Sequence, residues 1–321
     1  MTQLGIQIIP TMPISEVIEI GVMAEALGYD FCLLADEGFM PDVYVALGAI
    51  AQRTQRIQLG PVTNGYTRHP AVTANAVATL DDLTGGRSLV MLVAGGSMVL
   101  NPMGIVREAP LTVMRETITI LRQLWRGEEV TWQGRRFSLQ HAQLAGHRAH
   151  NTPIWLGVRG EKMLELAGHE ADGVVLGTIS DLGPALAIFE QAEAARPVRC
   201  RRIYMDRIAY TPELLTEAEA LYAYVLLDLP PRILEGLGIA AAEINHIRSA
   251  MATGGPQAAA ALVRPEILQR SQIAGTPDVC RATLAALIAT HTLDAVVMNI
   301  TTGGIEANRR LLQDIYAIVH G

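Results

Sequence analysis

The chain has 321 residues, of which 50% are hydrophobic and 18% are charged, and its formal net charge is -7. The negative charge excludes a basic surface for nucleic acid or for an anionic membrane. The length permits one large α/β barrel or two ordinary domains, and the apolar composition favours strands that are buried on both faces. We therefore expect a soluble metabolic protein that acts on a small molecule.

The N-terminus and the cysteines indicate the cytoplasm. MTQLGIQIIPTMP has no cationic start followed by a long apolar stretch, so we expect no secretory signal. The most apolar later run, LVMLVAGGSMVLNPMGIV, is broken by Gly-Gly, Asn and Pro, which makes it a poor membrane span. Cys32, Cys200 and Cys280 lack the paired spacing of metal ligands. We expect buried thiols in a reducing compartment, and no metal site.

Short apolar runs alternate with helix-length amphipathic segments along the chain. The predicted strands span residues 5–9, 30–35, 56–62, 88–94, 153–158, 172–177, 202–211 and 294–300. The helices between them include 41–54, 70–83, 110–126, 160–170 and 181–194, and a last helix ends near 319. Eight parallel strands with intervening helices form a (β/α)8 barrel, the TIM barrel. No linker divides the pattern, so we predict one domain over residues 1–321.

Two insertions interrupt this alternation. Residues 128–150 precede the fifth strand, and VTWQGRRFSL within them predicts a hairpin that turns at Gln133 and Gly134. Residues 212–273 precede the eighth strand and are predicted to form several helices. Both insertions are longer than ordinary loops, so we expect them to cover a site.

Three histidines lie near each other in the first insertion: His141, His147 and His150. Their spacing does not bring them together on one helix to bind a metal. We interpret them as surface or packing residues.

The segment GPVTNGYTRHP, residues 60–70, follows the third strand at the mouth of the predicted barrel. Pro70 suits a first helical turn, where its missing N–H is no loss. Gly60–Pro61 is compatible with a bulge that carries a cis peptide bond. The alternative interpretation is an ordinary loop in which Arg68 forms an ion pair and His69 only packs.

This segment, followed by TLDDLTGGRSLVMLVAGG over residues 79–96, resembles the bacterial luciferase-like superfamily of flavin and deazaflavin barrels. GEEVTWQGRRFSL, DGVVLGT and AGTPDVC occur in the order typical of that family. GPVTNGYTRHP most resembles the branch that uses coenzyme F420, especially the methylenetetrahydromethanopterin reductases. The resemblance implies a homodimeric oxidoreductase that transfers a hydride between coenzyme F420 and a small organic substrate.

The resemblance also implies the site residues. Asp36 and Glu37 follow the second strand, where deazaflavin relatives have an Asp-His pair near the reacting face of the ring. An acid there would hydrogen-bond the deazaflavin or handle a proton if burial raised its pKa, and the alternative is a solvated loop carboxylate. The implied cofactor-binding residues lie after strands three to six: Gly60, Pro61, Val62, Thr63, Ala94, Gly95, Gly96, Ser97, Gly157, Val158, Arg159, Gly160, Gly177 and Thr178.

Residues 60–63 match the family's bulge behind the ring, where the backbone must come close to it. Residues 157–160 lead into a helix whose free N–H groups favour a phosphate, and residues 177–178 match the same phosphate cradle. Ordinary turn geometry is the alternative explanation for these glycines.

This chain departs from the pterin reductases at two positions. It has Gln7 where they end the first strand with Glu, and Ser97 in the loop where they present an acid. Two other functions therefore stay open. One is an FMN-dependent luciferase-like monooxygenase, which a long mobile lid would favour. The other is a cofactor-binding protein without catalysis, which the two replaced acids suggest.

Overall fold

The computed structural model of the chain describes residues 2–146, 149–301 and 303–321, with only the backbone described at 219–221. The strands are β1 (Gln3–Ile8), β2 (Phe31–Ala35), β3 (Gln58–Thr63), β4 (Val90–Val93), β5 (Val130–Gln133), β6 (Ser138–Ala142), β7 (Ile154–Gly157), β8 (Gly173–Leu176), β9 (Arg201–Asp206), β10 (Ile208–Ala209), β11 (Ile273–Ala274) and β12 (Ala295–Ile300).

The helices are α1 (Ile14–Ala26), α2 (Val43–Ala51), α3 (Pro70–Thr84), α4 (Ser97–Leu100), α5 (Pro110–Trp125), α6 (Glu161–Glu170), α7 (Leu182–Glu193), α8 (Pro212–Asp228), α9 (Pro231–Gly236), α10 (Ala241–Ala260), α11 (Pro265–Ser271), α12 (Pro277–His291) and α13 (Ile305–His320). A 3₁₀ turn, Ile179–Asp181, precedes α7. No helix in the described ranges has the length and hydrophobicity that crossing a membrane requires.

Eight parallel strands close into a barrel, which confirms the predicted fold. The order around the barrel is β1, β2, β3, β4, β7, β8, β9 and β12, and β12 pairs with β1 to complete it. The first insertion contains the antiparallel β5–β6 hairpin, and the second contains α8 to α11. The helices of the second insertion enclose a hydrophobic cluster of their own, separate from the barrel core.

The predicted seventh strand is wrong in its second half. The barrel strand β9 ends at Asp206, whose carboxylate accepts a hydrogen bond from the next amide, that of Arg207, at 2.8 Å. The chain then turns out of the barrel, and β10 pairs in parallel with β11 instead. The two short strands lie where the second insertion leaves the barrel and returns to it.

Alternate residues of the barrel strands point inward and fill the interior. Phe31 of β2 and Trp155 of β7 meet edge to face, with ring centroids 5.0 Å apart. Leu33, Val175 and Val297 belong to the same buried cluster. This alternation also fixes which residue of each strand forms the last inward layer below the mouth.

The Gly60–Pro61 peptide is trans, so the cis bond considered for this position is wrong; no cis bond occurs among the described residues. Both residues pair in continuous register with β2. The pairing with β4, in contrast, is interrupted, since it occurs at Leu59 and resumes at Val62. Pro61 has no N–H to donate, which accounts for part of this gap.

The histidines of the first insertion do not form a cluster where they are described. His141 is exposed and its Nδ1 lies 2.8 Å from Glu129. His150 is buried and its Nδ1 lies 2.7 Å from Asp81. His147 lies outside the described residues. The interpretation of His141 and His150 as surface and packing residues is confirmed.

The close approach of β3 to β4 generates a stability prediction. A Cβ added to Gly60 would lie 2.8 Å from the carbonyl carbon of Leu89 and closer still to its oxygen. Because both obstacles are backbone atoms, Gly60→Ala is expected to lower the free energy of unfolding by about 3 kcal/mol or more. Urea unfolding measures it.

Gly48, within α2, provides the matched control because a Cβ there would meet no atom within 4 Å. Gly48→Ala should stabilise the protein by about 0.5–1 kcal/mol, through helix propensity. Equal stability of the two variants would contradict the close approach of β3 and β4.

Candidate functional site

The mouth of the barrel is an open crater. Residues in the lower inward layers, such as Phe31 and Trp155, are almost fully buried. The last inward layer is partly exposed on five strands, at Val93, Gly157, Gly177, Met205 and Asn299. Solvent therefore reaches this layer from the mouth of the barrel, and we call the opening above it the crater.

Two carboxamides lie side by side in the crater floor. Gln7 and Asn299 are register partners on β1 and β12, and each shares its inward orientation with the residue two positions before it, Gly5 and Val297. The side-chain oxygens of Gln7 and Asn299 are buried and have no hydrogen-bond partner among the described residues. Because buried polar atoms are nearly always paired, these oxygens suit a ligand that presents N–H or O–H groups.

The sequence pointed to Gln7 only as a replacement for an acid, and it did not single out Asn299. The signal for Asn299 is the alternation along β12, where it is the last inward residue after Ala295 and Val297.

Asp36 holds two loops together. Its Oδ2 accepts hydrogen bonds from the Thr63 hydroxyl at 3.0 Å and from Nε of Arg68 at 3.3 Å. Arg68 also donates to Asp42 at 2.6 Å, and its guanidinium lies 4.4 Å from the centre of the Tyr44 ring. Arg68 therefore forms the ion pair that the alternative interpretation of this loop expected, and cofactor binding by residues 60–63 stays a prediction.

His69 has a local role in the same loop. Its Nδ1 accepts a hydrogen bond from the amide of Ala71 at 3.2 Å, at the start of α3, and its ring packs edge-on against Phe137. Pro70 is the first residue of α3, as predicted.

Glu37 is the more suitable acid of the predicted pair. Burial, reinforced by the neighbouring charge of Asp36, raises the pKa of Glu37 to about 7. The carboxyl group therefore exchanges its proton near neutral pH, the range in which a general acid or base works best. Glu37 is therefore the better candidate for proton transfer, whereas Asp36 has a structural role through its hydrogen bonds to Thr63 and Arg68.

The loop after β4 is tied to the second insertion. Asp228, at the end of α8, accepts hydrogen bonds from the amide and the hydroxyl of Ser97, at 2.9 and 3.0 Å. Arg107 lies 3.5 Å from the same carboxylate and donates to the carbonyl of Gly95 at 2.9 Å. The sequence identified this loop but not Asp228, which is 131 residues away from Ser97.

The predicted phosphate cradle has fewer free amides than expected. The amide of Val158 donates to the carbonyl of Val175 at 3.3 Å, and the amide of Thr178 donates to Asp206 at 3.5 Å. Neither amide is free to bind a phosphate. Gly160 precedes α6, and a Cβ there would meet no atom within 4 Å. The amides of Met163 and Leu164 donate to the carbonyl of Gly160. This leaves the amides of residues 161 and 162, at the start of α6, without an acceptor among the described residues.

Packing against neighbouring strands explains two of the cradle glycines. An added Cβ at Gly157 would overlap Met91 and lie 3.0 Å from Val93, and one at Gly177 would lie 2.9 Å from the carbonyl oxygen of Met205. The exposed Arg159 has its carbonyl held by Arg232 of the second insertion at 3.1 Å. Cofactor binding by this segment stays a prediction.

Comparison with known proteins places the chain in a broad group. A model of the luciferase-like monooxygenase family matches residues 2–293. The chain is 32% identical over 294 residues to the 5,10-methylenetetrahydromethanopterin reductase of Methanolobus tindarius, covering 88% of this chain and 90% of that protein.

Two solved structures have the same fold. The coenzyme F420-dependent tetrahydromethanopterin reductase of Methanopyrus kandleri gives a TM-score of 0.83 at 24% identity and covers 98% of both chains. An F420-dependent secondary alcohol dehydrogenase, solved with an F420-acetone adduct, gives 0.78 at 18% identity and covers 100% of this chain and 99% of the other.

The raised pKa of Glu37 makes stability depend on pH. Between the ordinary value of 4.5 and about 7, the unfolded chain loses the proton while the folded protein keeps it. Stability is therefore lost as pH rises through this window, by at most about 3 kcal/mol. Glu37→Gln removes this loss. The free energy of unfolding of the variant, measured in urea, should therefore rise relative to that of the parent between pH 4.5 and pH 8.

Glu25→Gln is the control with the opposite sign. Burial opposes ionisation of Glu25, but hydrogen bonds from the amides of residues 55–57 outweigh it and lower the pKa. The parent should therefore lose stability relative to this variant as pH falls. A pH-independent difference between the parent and Glu37→Gln would contradict the assigned environment of Glu37.

Proposed function

Because this chain belongs to the luciferase-like monooxygenase family, we propose that it is an oxidoreductase that transfers a hydride between coenzyme F420 and a small organic substrate. The observation that carries the proposal is the crater itself. Its floor presents two carboxamide oxygens that have no partner among the described residues, and an acid with a pKa of about 7 follows β2 at its rim. A flat heterocycle with N–H and O–H groups fits this arrangement.

The relatives support the deazaflavin rather than the flavin. The similar reductase structure is described as coenzyme F420-dependent, and the similar alcohol dehydrogenase was solved with an F420 adduct. The substrate is proposed to differ from that of the pterin reductases, because Gln7 and Ser97 replace two of their carboxylates. A neutral substrate with a hydroxyl group suits the carboxamide oxygens of the floor, which accept hydrogen bonds.

The protein contributes position and proton transfer. The carboxamides of Gln7 and Asn299 would orient the ligand through its hydrogen-bond donors, and the strand interior below them would keep water out. Coenzyme F420, when bound, supplies or accepts the hydride at C5 of its ring. Glu37 would give a proton to the substrate oxygen, or take one from it. Val62 is proposed to support the ring from the β3 side, because its side chain belongs to the interior cluster of the barrel.

The cofactor assignment is tested by titrating the purified protein with coenzyme F420 and with FMN, following absorbance and fluorescence. We expect F420 to bind at least about tenfold more tightly. Tighter binding of FMN would favour the luciferase-like monooxygenase instead. Turnover with any electron donor and acceptor would exclude the third possibility, a cofactor-binding protein without catalysis. A homodimer and a cytoplasmic location remain predictions.

Replacing the carboxamide of Gln7 should change the stability of the protein and its affinity for coenzyme F420 in opposite directions. Gln7→Met keeps the size of the side chain and removes the buried oxygen, so it should raise the free energy of unfolding by about 1 kcal/mol. The same change should weaken F420 binding. Gln7→Glu keeps the shape but buries a charge, and should lower stability. A less stable Gln7→Met variant would show that the carboxamide already has a partner in the free protein.

A further inference from the structure

The loop after β4 depends on side chains from elsewhere in the chain. Gly95 has a φ of +79°, and Gly96 follows it directly. Two consecutive glycines give the backbone of this loop more conformational freedom than other residues would. The amide of Ser97, the hydroxyl of Ser97 and the carbonyl of Gly95 all bond to Asp228 or Arg107. We call these four residues, Gly95, Ser97, Arg107 and Asp228, the clasp.

The carboxylate of Asp228 is the centre of the clasp. One oxygen, Oδ2, accepts both hydrogen bonds from Ser97, and the other lies 3.5 Å from Nη1 of Arg107. Its side chain is only 17% exposed, so solvent screens these interactions less than at an open surface. A Cβ placed on Gly96 would lie 3.7 Å from Oδ2, so the carboxylate is packed directly on the loop backbone.

Asp228 lies at the end of a helix that packs within the second insertion. It is the last residue of α8, and the nearby residues Tyr222 and Leu226 belong to the hydrophobic cluster of the second insertion. The insertion therefore places a carboxylate on a glycine-rich loop of the barrel. This loop has no acid of its own between Ala94 and Ser97.

We propose that Asp228 is a positioning residue for the site: it supplies from the second insertion the carboxylate that the loop after β4 lacks, and it holds residues 94–97 in the form that binds the cofactor. This inference rests on the proposed function. It makes the second insertion a part of the binding site rather than a separate cover. Arg107 completes the arrangement by neutralising the carboxylate and fixing Gly95.

The decisive experiment moves the carboxylate. Asp228→Ala removes it, and the double variant Ser97→Asp with Asp228→Ser places it on the loop instead. We expect Asp228→Ala to weaken F420 affinity about tenfold or more, the effect of losing hydrogen bonds to a charged group. The double variant should recover most of that loss, because the carboxylate again lies beside Arg107. Fluorescence titration with coenzyme F420 measures both.

Glu243→Ala is the matched control. Glu243 is also a partly buried carboxylate of the second insertion, and it forms an ion pair with Arg264 at 2.9 Å, within the insertion itself. Its removal should leave F420 affinity unchanged. An equal loss in this variant would mean that any damage to the insertion weakens binding, and would overturn the specific role of Asp228.

Hydrogen exchange in the protein without cofactor gives an independent result. Asp228→Ala should increase exchange at residues 95–100, and Glu243→Ala should not. If the parent protein fails to bind F420, the proposed function fails, and the exchange measurement still decides whether the clasp orders the loop. Unchanged exchange, or a double variant that binds no better than Asp228→Ala, would overturn the inference.

Discussion

The inward side chains of the barrel strands fill its interior from below and stop one layer short of the mouth. Phe31 and Trp155 pack edge to face in the lower layers, and these rings leave no room for a ligand there. The last layer contains Val93 and Met205, but its other positions are two glycines and two carboxamides, Gly157, Gly177, Gln7 and Asn299, where apolar side chains would have continued the core. Glu37, the two carboxamides and the loop after β4 all lie at or above this boundary.

The polar groups at the mouth divide into those already paired and those still available. Asp36 and Arg68 satisfy each other and fix the loops after β2 and β3. The carboxamide oxygens of Gln7 and Asn299 have no partner in the described part of the chain, and burial raises the pKa of Glu37. Burying such unpaired or ionisable groups lowers the stability of the fold. Groups of this kind cluster at functional sites, where a bound ligand can pair with them.

The alternation of apolar runs and amphipathic helices predicted the barrel because local periodicity follows directly from strand and helix geometry. The same reasoning extended the seventh strand past Asp206, since periodicity cannot show where a strand leaves a sheet. The site was predicted less completely. Loop residues such as Ser97 follow strands and can be located by position, whereas Asp228 meets them only through tertiary packing. The preference for Glu37 over Asp36 likewise depends on burial and on Arg68, which local sequence does not reveal.

The short pair formed by β10 and β11 brings together the two ends of the second insertion. Ile208 pairs with Ile273 and Ala209 with Ala274, so the chain leaves the barrel and returns to it at neighbouring points. The entropic cost of bringing the two ends of the insertion together grows only slowly with its length. Helices between the two strands can therefore be lengthened, shortened or exchanged without stretching the barrel, as long as the carboxylate of Asp228 still reaches Ser97.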